Sequence, residues 1–331
     1  MFTPNMKQKS LSELLQNVET YLAQSELSGE PAQLYAPIIY SMEEGGKRLR
    51  PMLTLLACGI FADEVEAAMP CAAAVEFFHN FTLLHDDIMD NAPIRRGKPS
   101  VFRKWNQNIA ILSGDAMIVY AYRLLEKAPK QLLPQIFEVF NATAMQVFEG
   151  QQYDMDFEGR SDVSIEEYIR MIDLKTAVLL SGSARIGAIV GGASAEDLEH
   201  ITRFADELGL AFQLQDDLLD SYGTEAQLGK AIGGDILEGK KTFLMITALN
   251  RLHDEERCEL QSLHSNEALL AEQKIARARE LFDKADVRTQ TEERIKLHFD
   301  RALSALDALS VPVERTAQMR EFAQSLVGRK K

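Results

Sequence analysis

Apolar positions recur three and four residues apart along almost the whole chain. The segments LSELLQNVETYLAQ, AMPCAAAVEFFHNFTLLHDDIMD, QIFEVFNATAMQVFEGQQYDM and EDLEHITRFADELGLAFQLQDDLLD place them at i, i+3, i+4 and i+7. That spacing turns one side of an α-helix toward a core. Alternating apolar–polar runs bounded by hairpin turns are lacking, and β-branched, aromatic-rich stretches are scarce. The pattern predicts long helices and an all-α fold. Three stretches interrupt it: EGGKRLRP (44–51), NAPIRRGKPS (91–100) and SYGTEAQLGKAIGGDILEGKKT (221–242). No Ser/Gly-rich linker divides the chain, so a single domain over 1–331 is expected.

The pattern also bounds the environment. No uncharged apolar run reaches the roughly 18 residues that span a bilayer, and MFTPNMKQKSLSELLQ lacks the basic-then-apolar order of a signal peptide. A soluble, cytoplasmic protein is expected, not an integral membrane one. The 36 Lys and Arg against 50 Asp and Glu leave a net charge of −14. That balance disfavours a nucleic-acid partner, which needs a basic face, but leaves room for a local basic pocket that holds a small anion. Cys58, Cys71 and Cys258 form no CxxC pair and no zinc spacing, so they read as buried thiols in a reducing compartment.

Two segments, LLHDDIMD (83–90) and QLQDDLLD (213–220), end in Asp-Asp-x-x-Asp. Residues three and four apart share a helix face, so Asp86, Asp87 and Asp90 gather on one stripe, as do Asp216, Asp217 and Asp220. Like charges so placed weaken a helix by a few tenths of a kcal/mol per pair. Each motif also ends an apolar run, where a solvated charged face is not expected. Something positive should compensate them, and hard carboxylate oxygens suit Mg²⁺, which is commonly shared with substrate phosphates. The cations of this acidic protein cluster in the interrupting stretches: Lys47, Arg48 and Arg50; Arg95 and Arg96, five and six residues after Asp90; then Lys230, Lys240 and Lys241. Arginine forks and mobile lysines beside glycines are suited to phosphate oxygens. A metal-assisted diphosphate site unites the two sets.

In this order GGKRLRP (45–51), LLHDDIMD followed by RRGKP (83–99), AILSGD (110–115), GQQYD (150–154), LKTA (174–177), FQLQDDLLD (212–220) and GKKT (239–242) resemble a trans-isoprenyl diphosphate synthase of the polyprenyl synthetase family, short-chain type. The resemblance implies a helical bundle around a central cavity, usually a homodimer, whose two aspartate motifs face each other and hold Mg²⁺. It implies isopentenyl diphosphate and an allylic diphosphate (dimethylallyl, geranyl or farnesyl) as substrates. Matched by motif, Asp86 and Asp90 are metal ligands with Asp87 supporting, and Asp216 is the second-motif ligand with Asp217 and Asp220 behind it. Arg95, Lys175, Lys230 and Lys240 match allylic-diphosphate binders. Lys47, Arg50, His79 and Arg96 match isopentenyl-diphosphate binders. Thr176 and Gln213, with Lys175, match groups near the reacting carbons, and Gln151 and Asp154 match a supporting GQxxD element. His79 stands seven residues before Asp86, two helical turns, and so shares its face. The stretch 221–242 is a candidate lid, and the terminal GRKK resembles tails that fold over such a site. The family often has His at Phe102, Gly at Asn106 and a proline after GKKT. Asn106 tolerates a left-handed turn.

Product length should follow from the cavity floor. Phe78 and Phe81 precede Asp86 on one helix. The resemblance makes Phe81 a main stop, while helical spacing puts Thr82 directly beneath Asp86. The Phe81–Thr82 pair favours a C20 product over C15. A class I terpene cyclase and a catalytically silent partner subunit are the alternatives. The former is disfavoured by the second QDDLLD and the extra cations, the latter by the presence of both motifs. Glu76-x-x-His79 lacks the second such motif that a di-iron bundle needs. Gly234-x-x-x-x-Gly239-Lys240 has Lys241 where a P-loop needs Ser or Thr. Asp154-x-Asp156-x-Glu158-Gly159 has Ile165 at the twelfth EF-hand position.

Overall fold

A computed structural model describes residues 9–25, 27–43, 45–224 and 232–327. Lys230, the middle of the 221–242 stretch and the terminal GRKK lie outside the described residues. Long helices dominate: α1 (Leu11–Ala23), α2 (Ala32–Glu43), α3 (Leu49–Phe61), α4 (Met69–Met89), α5 (Val101–Lys104), α6 (Gln107–Leu125), α7 (Leu133–Glu158), α8 (Ile165–Ile172), α9 (Val178–Gly191) and α10 (Ala195–Tyr222). Then follow α11 (Gly234–Glu238), α12 (Phe243–Arg251), α13 (Asp254–Ser262), α14 (Ala271–Lys284), α15 (Val287–Asp307) and α16 (Val313–Val327). The all-α expectation holds. By its internal contacts the chain divides into two compact units. The first comprises Met1–Ala142, Gly182–Thr202 and Ala308–Phe322; the second comprises Thr143–Ser181, Arg203–Asp307 and Ala323–Lys331.

In the first unit, α4 buries Phe77, Phe78, Phe81 and Leu84, the apolar stripe its periodicity marks. A Ser10–Glu13 capping box starts α1, satisfying amides that a helix N-terminus leaves bare. Arg315 on α16 receives the last carbonyls of α3: it donates to the oxygens of Ile60 at 2.5 Å and Ala62 at 2.7 Å, and pairs with Asp63 at 2.9 Å. Asn106 is extended (φ −164°), not left-handed, and caps α6 by accepting from Ile109 N at 2.9 Å. One feature departs from the helical pattern. The strands β1 (Ile94–Arg95) and β2 (Lys98–Pro99) form an antiparallel hairpin around Arg96 (φ 50°) and Gly97 (φ 78°). Positive φ at both central residues is the type I′ geometry that matches strand twist. Two-residue strands are too short to show alternation.

In the second unit the core forms around Phe157, Tyr168, Leu214, Leu244, Phe282 and Ile295. A Ser164–Glu167 capping box starts α8. The helix then widens into a π-turn, Asp173–Ala177, in which Val178 N–H reaches back to Asp173 O, and continues as α9. The stretch Ile165–Gly191 is long and apolar enough to cross a membrane, yet 72% of its most apolar window is buried within the protein, as in a core helix. Cys58 and Cys71 are buried and pushed up to about 12 by that burial; Cys258, expected to be buried, is exposed.

Candidate active site

Both aspartate motifs end long helices, and their burial has the same register. Leu84 and Leu214 are buried, Asp86 and Asp216 half-buried, Asp87 and Asp217 buried again. Each therefore sets a half-buried carboxylate next to a buried one. Asp86 and Asp87 sit in the last turn of α4 with Asp90 as its C-cap, while in α10 only Asp220 is in the last turn and Asp216 and Asp217 stand a turn earlier; neither last turn carries a basic residue. The negative end of the helix dipole opposes an anion at such a position. Three carboxylates held against that field fit a cation.

In the first unit Asp90 is the C-cap of α4 and exposed, its N–H bonded to Asp86 O at 2.8 Å. Asp87 accepts twice from Arg95, at 2.9 Å from Nε and 2.5 Å from Nη2. Burial raises the Asp87 carboxyl above its ordinary value, against the pull of Arg95. Asp87 thus anchors the hairpin arginine. Arg95 lies within electrostatic reach of Asp86 and Asp90 as well. Arg96, lifted by the type I′ turn, donates to Gly45 O. Its guanidinium lies 3.1 Å from where a Cβ at Gly46 would stand, so the second glycine of GGKR leaves room for it.

His79, half-buried on α4, is surrounded by Arg50, Arg96, Arg95 and Arg48. Burial and these cations hold its imidazole well below the usual range, so the ring is neutral. Burial, with Arg96 beside it, lowers Arg50 to about 10, and Arg50 Nε is buried without a hydrogen-bond partner. A buried N–H among cations is a place for an anion's oxygen. The structure thus brings together Arg50, His79, Arg95 and Arg96; Lys47 stands exposed on the same loop. Arg48 belongs elsewhere. In the left-handed region (φ 46°), it turns inward to Glu76 at 2.7 Å, Glu19 at 2.8 Å and Met42 O at 2.8 Å. Glu76 in turn holds Asn80. Charge alone does not separate Arg48 from its neighbours in the sequence.

Phe78 and Phe81 are buried, with ring centroids 5.5 Å apart, and Phe81 meets His85 edge-on at 4.7 Å. Thr82 is half-buried, and its hydroxyl donates to His79 O at 2.8 Å. Thr82 keeps its place one turn before Asp86, while Phe81 packs on the side of His85.

In the second unit the π-turn carries Lys175 and Thr176. Lys175 Nζ pairs with Asp154 at 2.5 Å. A Cβ at Gly150 would collide with the backbone of Leu174 and Lys175. Gly150 and Asp154 of GQQYD thus seat the backbone and tether the side chain of the same lysine. Thr176 Oγ1 donates to Gln213 Oε1 at 3.1 Å, and Gln213 Nε2 donates to Asp217 Oδ1 at 2.9 Å. Tyr168 donates to the other Asp217 oxygen. Burial, with Asp235 and Asp216 nearby, raises Asp217 to about 8. Asp220, placed by motif among the metal carboxylates, is buried and holds the backbone of the following segment: its carbonyl takes Gly233 N–H at 2.7 Å and Oδ2 takes Asp235 N–H at 3.1 Å. Lys240 pairs with Glu238 at 3.0 Å, and Lys241 donates to Gly239 O at 2.8 Å. Tyr168 and Asp235 were not singled out by sequence: a tyrosine on an amphipathic stripe and an acid in a glycine-rich loop carry no local mark.

Among the described residues no group of three or more His, Cys, Asp or Glu side chains is assembled to hold a metal. Mg²⁺ does not need such a cage, because one or two carboxylates together with substrate phosphates bind it. The donor chemistry and the helix-end fields fit it.

The sequence pattern described as polyprenyl synthetase matches residues 31–282. A geranylgeranyl diphosphate synthase of Methanosarcina mazei is 41% identical over 249 residues, 74% of this chain and 75% of that protein. A crystal structure of geranylgeranyl pyrophosphate synthase superposes with a TM-score of 0.91 at 41% identity, over 98% of this chain and 100% of that one. The geranylgeranyl pyrophosphate synthase from Corynebacterium glutamicum, complexed with isoprenyl diphosphate and magnesium, superposes with a TM-score of 0.85 at 26% identity, over 98% and 100%. With its motifs intact and the fold shared along nearly its whole length, the chain belongs to the polyprenyl synthetase family, among its short-chain trans-isoprenyl diphosphate synthases.

Proposed function

We propose that the protein joins isopentenyl diphosphate to dimethylallyl, geranyl or farnesyl diphosphate, with C20 geranylgeranyl diphosphate as the main product and C15 farnesyl diphosphate next. One observation carries this reading most directly. In the first unit a carboxylate-rich helix end stands within electrostatic reach of Arg95, which with Arg50 and Arg96 forms a cation cluster around the neutral His79. That is the pairing a metal-bound diphosphate beside a second diphosphate requires.

The allylic C–O bond breaks and inorganic diphosphate departs. The alkene of isopentenyl diphosphate then attacks the allylic cation, a C–C bond forms, and a proton leaves to the diphosphate. Asp86, Asp90 and Asp216 would hold Mg²⁺, with Asp87 and Asp220 fixing their surroundings. When bound, the metal offsets the charge that grows on the leaving group. Arg95, Lys175 and Lys240, with Lys230, bind the allylic diphosphate. Lys47, Arg50, Arg96 and the neutral His79 bind the isopentenyl diphosphate. The oxygens of Thr176 and Gln213 stand toward the developing positive charge. Phe81, Phe78 and Thr82 set the length at which growth stops.

Residues 1–331 act as one polyprenyl synthetase domain, supported by motifs that fall in both compact units. The working form is a cytoplasmic homodimer. Leu112 and Val119, two turns apart on α6 and each about 60% exposed, support a partner surface of the same chain. Purified protein with Mg²⁺, labelled isopentenyl diphosphate and each starter from C5 to C15 should give C20 as the largest abundant product. Failure to elongate any starter overturns the reading, and a cyclic hydrocarbon released from a C15 or C20 substrate replaces it with a cyclase.

A further inference from the structure

We propose that Tyr168 is a positioning residue that, through Asp217, fixes the amide of Gln213 and with it the direction of the Thr176 hydroxyl. The proposal rests on the prenyltransferase reading. Tyr168 is only 1% exposed, in the core of the second unit, where a phenylalanine would bury as much surface without a polar atom to satisfy. Its hydroxyl donates to Asp217 Oδ2. The other oxygen, Oδ1, accepts from Gln213 Nε2 at 2.9 Å, and Gln213 Oε1 accepts from Thr176 Oγ1 at 3.1 Å.

The consequence follows from donor and acceptor inventory. A carboxamide is two-sided, its NH₂ end only donating and its oxygen only accepting. With Tyr168 donating to Oδ2, the Oδ1 of Asp217 accepts from the NH₂ end of Gln213, so the amide oxygen faces Thr176. Thr176 must then donate its proton to Gln213, which leaves its oxygen lone pairs directed elsewhere. Were the amide reversed, Thr176 would have to accept, and its proton would point outward instead. Lone pairs favour a carbocation and an outward proton opposes it. The three bonds therefore set the sign of the dipole that Thr176 offers. Burial and Asp217 hold the Tyr168 phenol well above its ordinary range, so it stays a donor.

The test uses the full chain with Mg²⁺, isopentenyl diphosphate and farnesyl diphosphate. Tyr168→Phe should lower kcat about 2- to 10-fold, the range for losing one hydrogen bond between uncharged groups. The KM for isopentenyl diphosphate should stay unchanged, while the thermal midpoint without ligands should fall by only a few degrees. Because Tyr168 acts through Thr176, adding Tyr168→Phe to Thr176→Val should lower kcat no further than Thr176→Val alone. Asp217→Asn, which replaces one of the two oxygens that Tyr168 and Gln213 bond with an amide NH₂, should lose at least as much as Tyr168→Phe. An unchanged kcat in Tyr168→Phe or Asp217→Asn, or fully multiplicative losses in the double variant, would overturn the role. A wild-type protein that elongates no starter would instead overturn the underlying reading, which keeps the two failures apart.

Discussion

Arg48 Nη1 lies 2.7 Å from Glu76 Oε1, and each side chain is about 97% removed from solvent. Removing one partner strands the other charge in the core. Arg48→Met or Glu76→Leu alone should cost about 3–5 kcal/mol of stability. Replacing both should cost less than the sum, although Arg48 also bonds Glu19 and Met42 O. Denaturant titration of the four proteins checks this, and additive losses would contradict it.

Asp86→Ala and Asp216→Ala should each lower kcat roughly 10²–10³-fold, the scale for losing one preorganised electrostatic contact at a reacting centre. Both should also raise the Mg²⁺ concentration needed for half-maximal rate. Lys47→Ala should instead act on binding, raising the KM for isopentenyl diphosphate about tenfold or more with little change in kcat. Steady-state kinetics against metal and against each substrate separate these outcomes.

His79 gives stability a pH signature. Its folded pKa is depressed by burial and by Arg50, Arg96 and Arg95, while the unfolded value is about 6.5. Below that value the unfolded chain takes up a proton that the folded one refuses, so the contribution present above about pH 6.5 is lost as pH falls toward the folded pKa. His79→Gln should therefore melt less steeply with acidification between pH 6.5 and 5. Parallel pH slopes for variant and wild type would show that the histidine is not the cause.

Phe81→Ala should lengthen the product and destabilise the fold by about 3–5 kcal/mol, since the ring packs between Phe78 and His85. Thr82→Phe should shorten it. Sizing the products of both variants decides between the two positions, and unchanged length in Phe81→Ala removes that ring from the floor.

Gly150→Ala should displace Lys175 by driving a methyl group against the Leu174–Lys175 backbone. The expected result is a fall in kcat and a rise in the allylic-diphosphate KM, with Asp154→Asn giving the milder version. Wild-type kinetics in Gly150→Ala would refute the seat.

Much of this was legible in the chain because helices and acid stripes are local. The 3.6-residue rhythm marks α4 and α10, and Asp86 and Asp216 follow from spacing within one turn. Other features depend on distant partners. Arg48 looks like Lys47 and Arg50 until Glu19 and Glu76 are placed around it. Tyr168 acquires meaning only beside Asp217, 49 residues away. The hairpin at Arg96 escapes notice because its strands are two residues long. Asp220 matches Asp90 by motif, yet Asp90 is exposed at a helix end while Asp220 is buried against the backbone that follows.

The shared burial register of Asp86–Asp87 and Asp216–Asp217 has a consequence for how such a chain can diverge. A helix rotates about 100° per residue, so one residue inserted upstream in α4 would swing the Asp86 carboxylate away from its accessible face and carry a neighbour into its place. Deletion would do the same in the opposite sense. Side-chain substitutions along these two helices preserve that register, whereas a change in helix length ahead of the acids breaks it unless a bulge absorbs the extra residue.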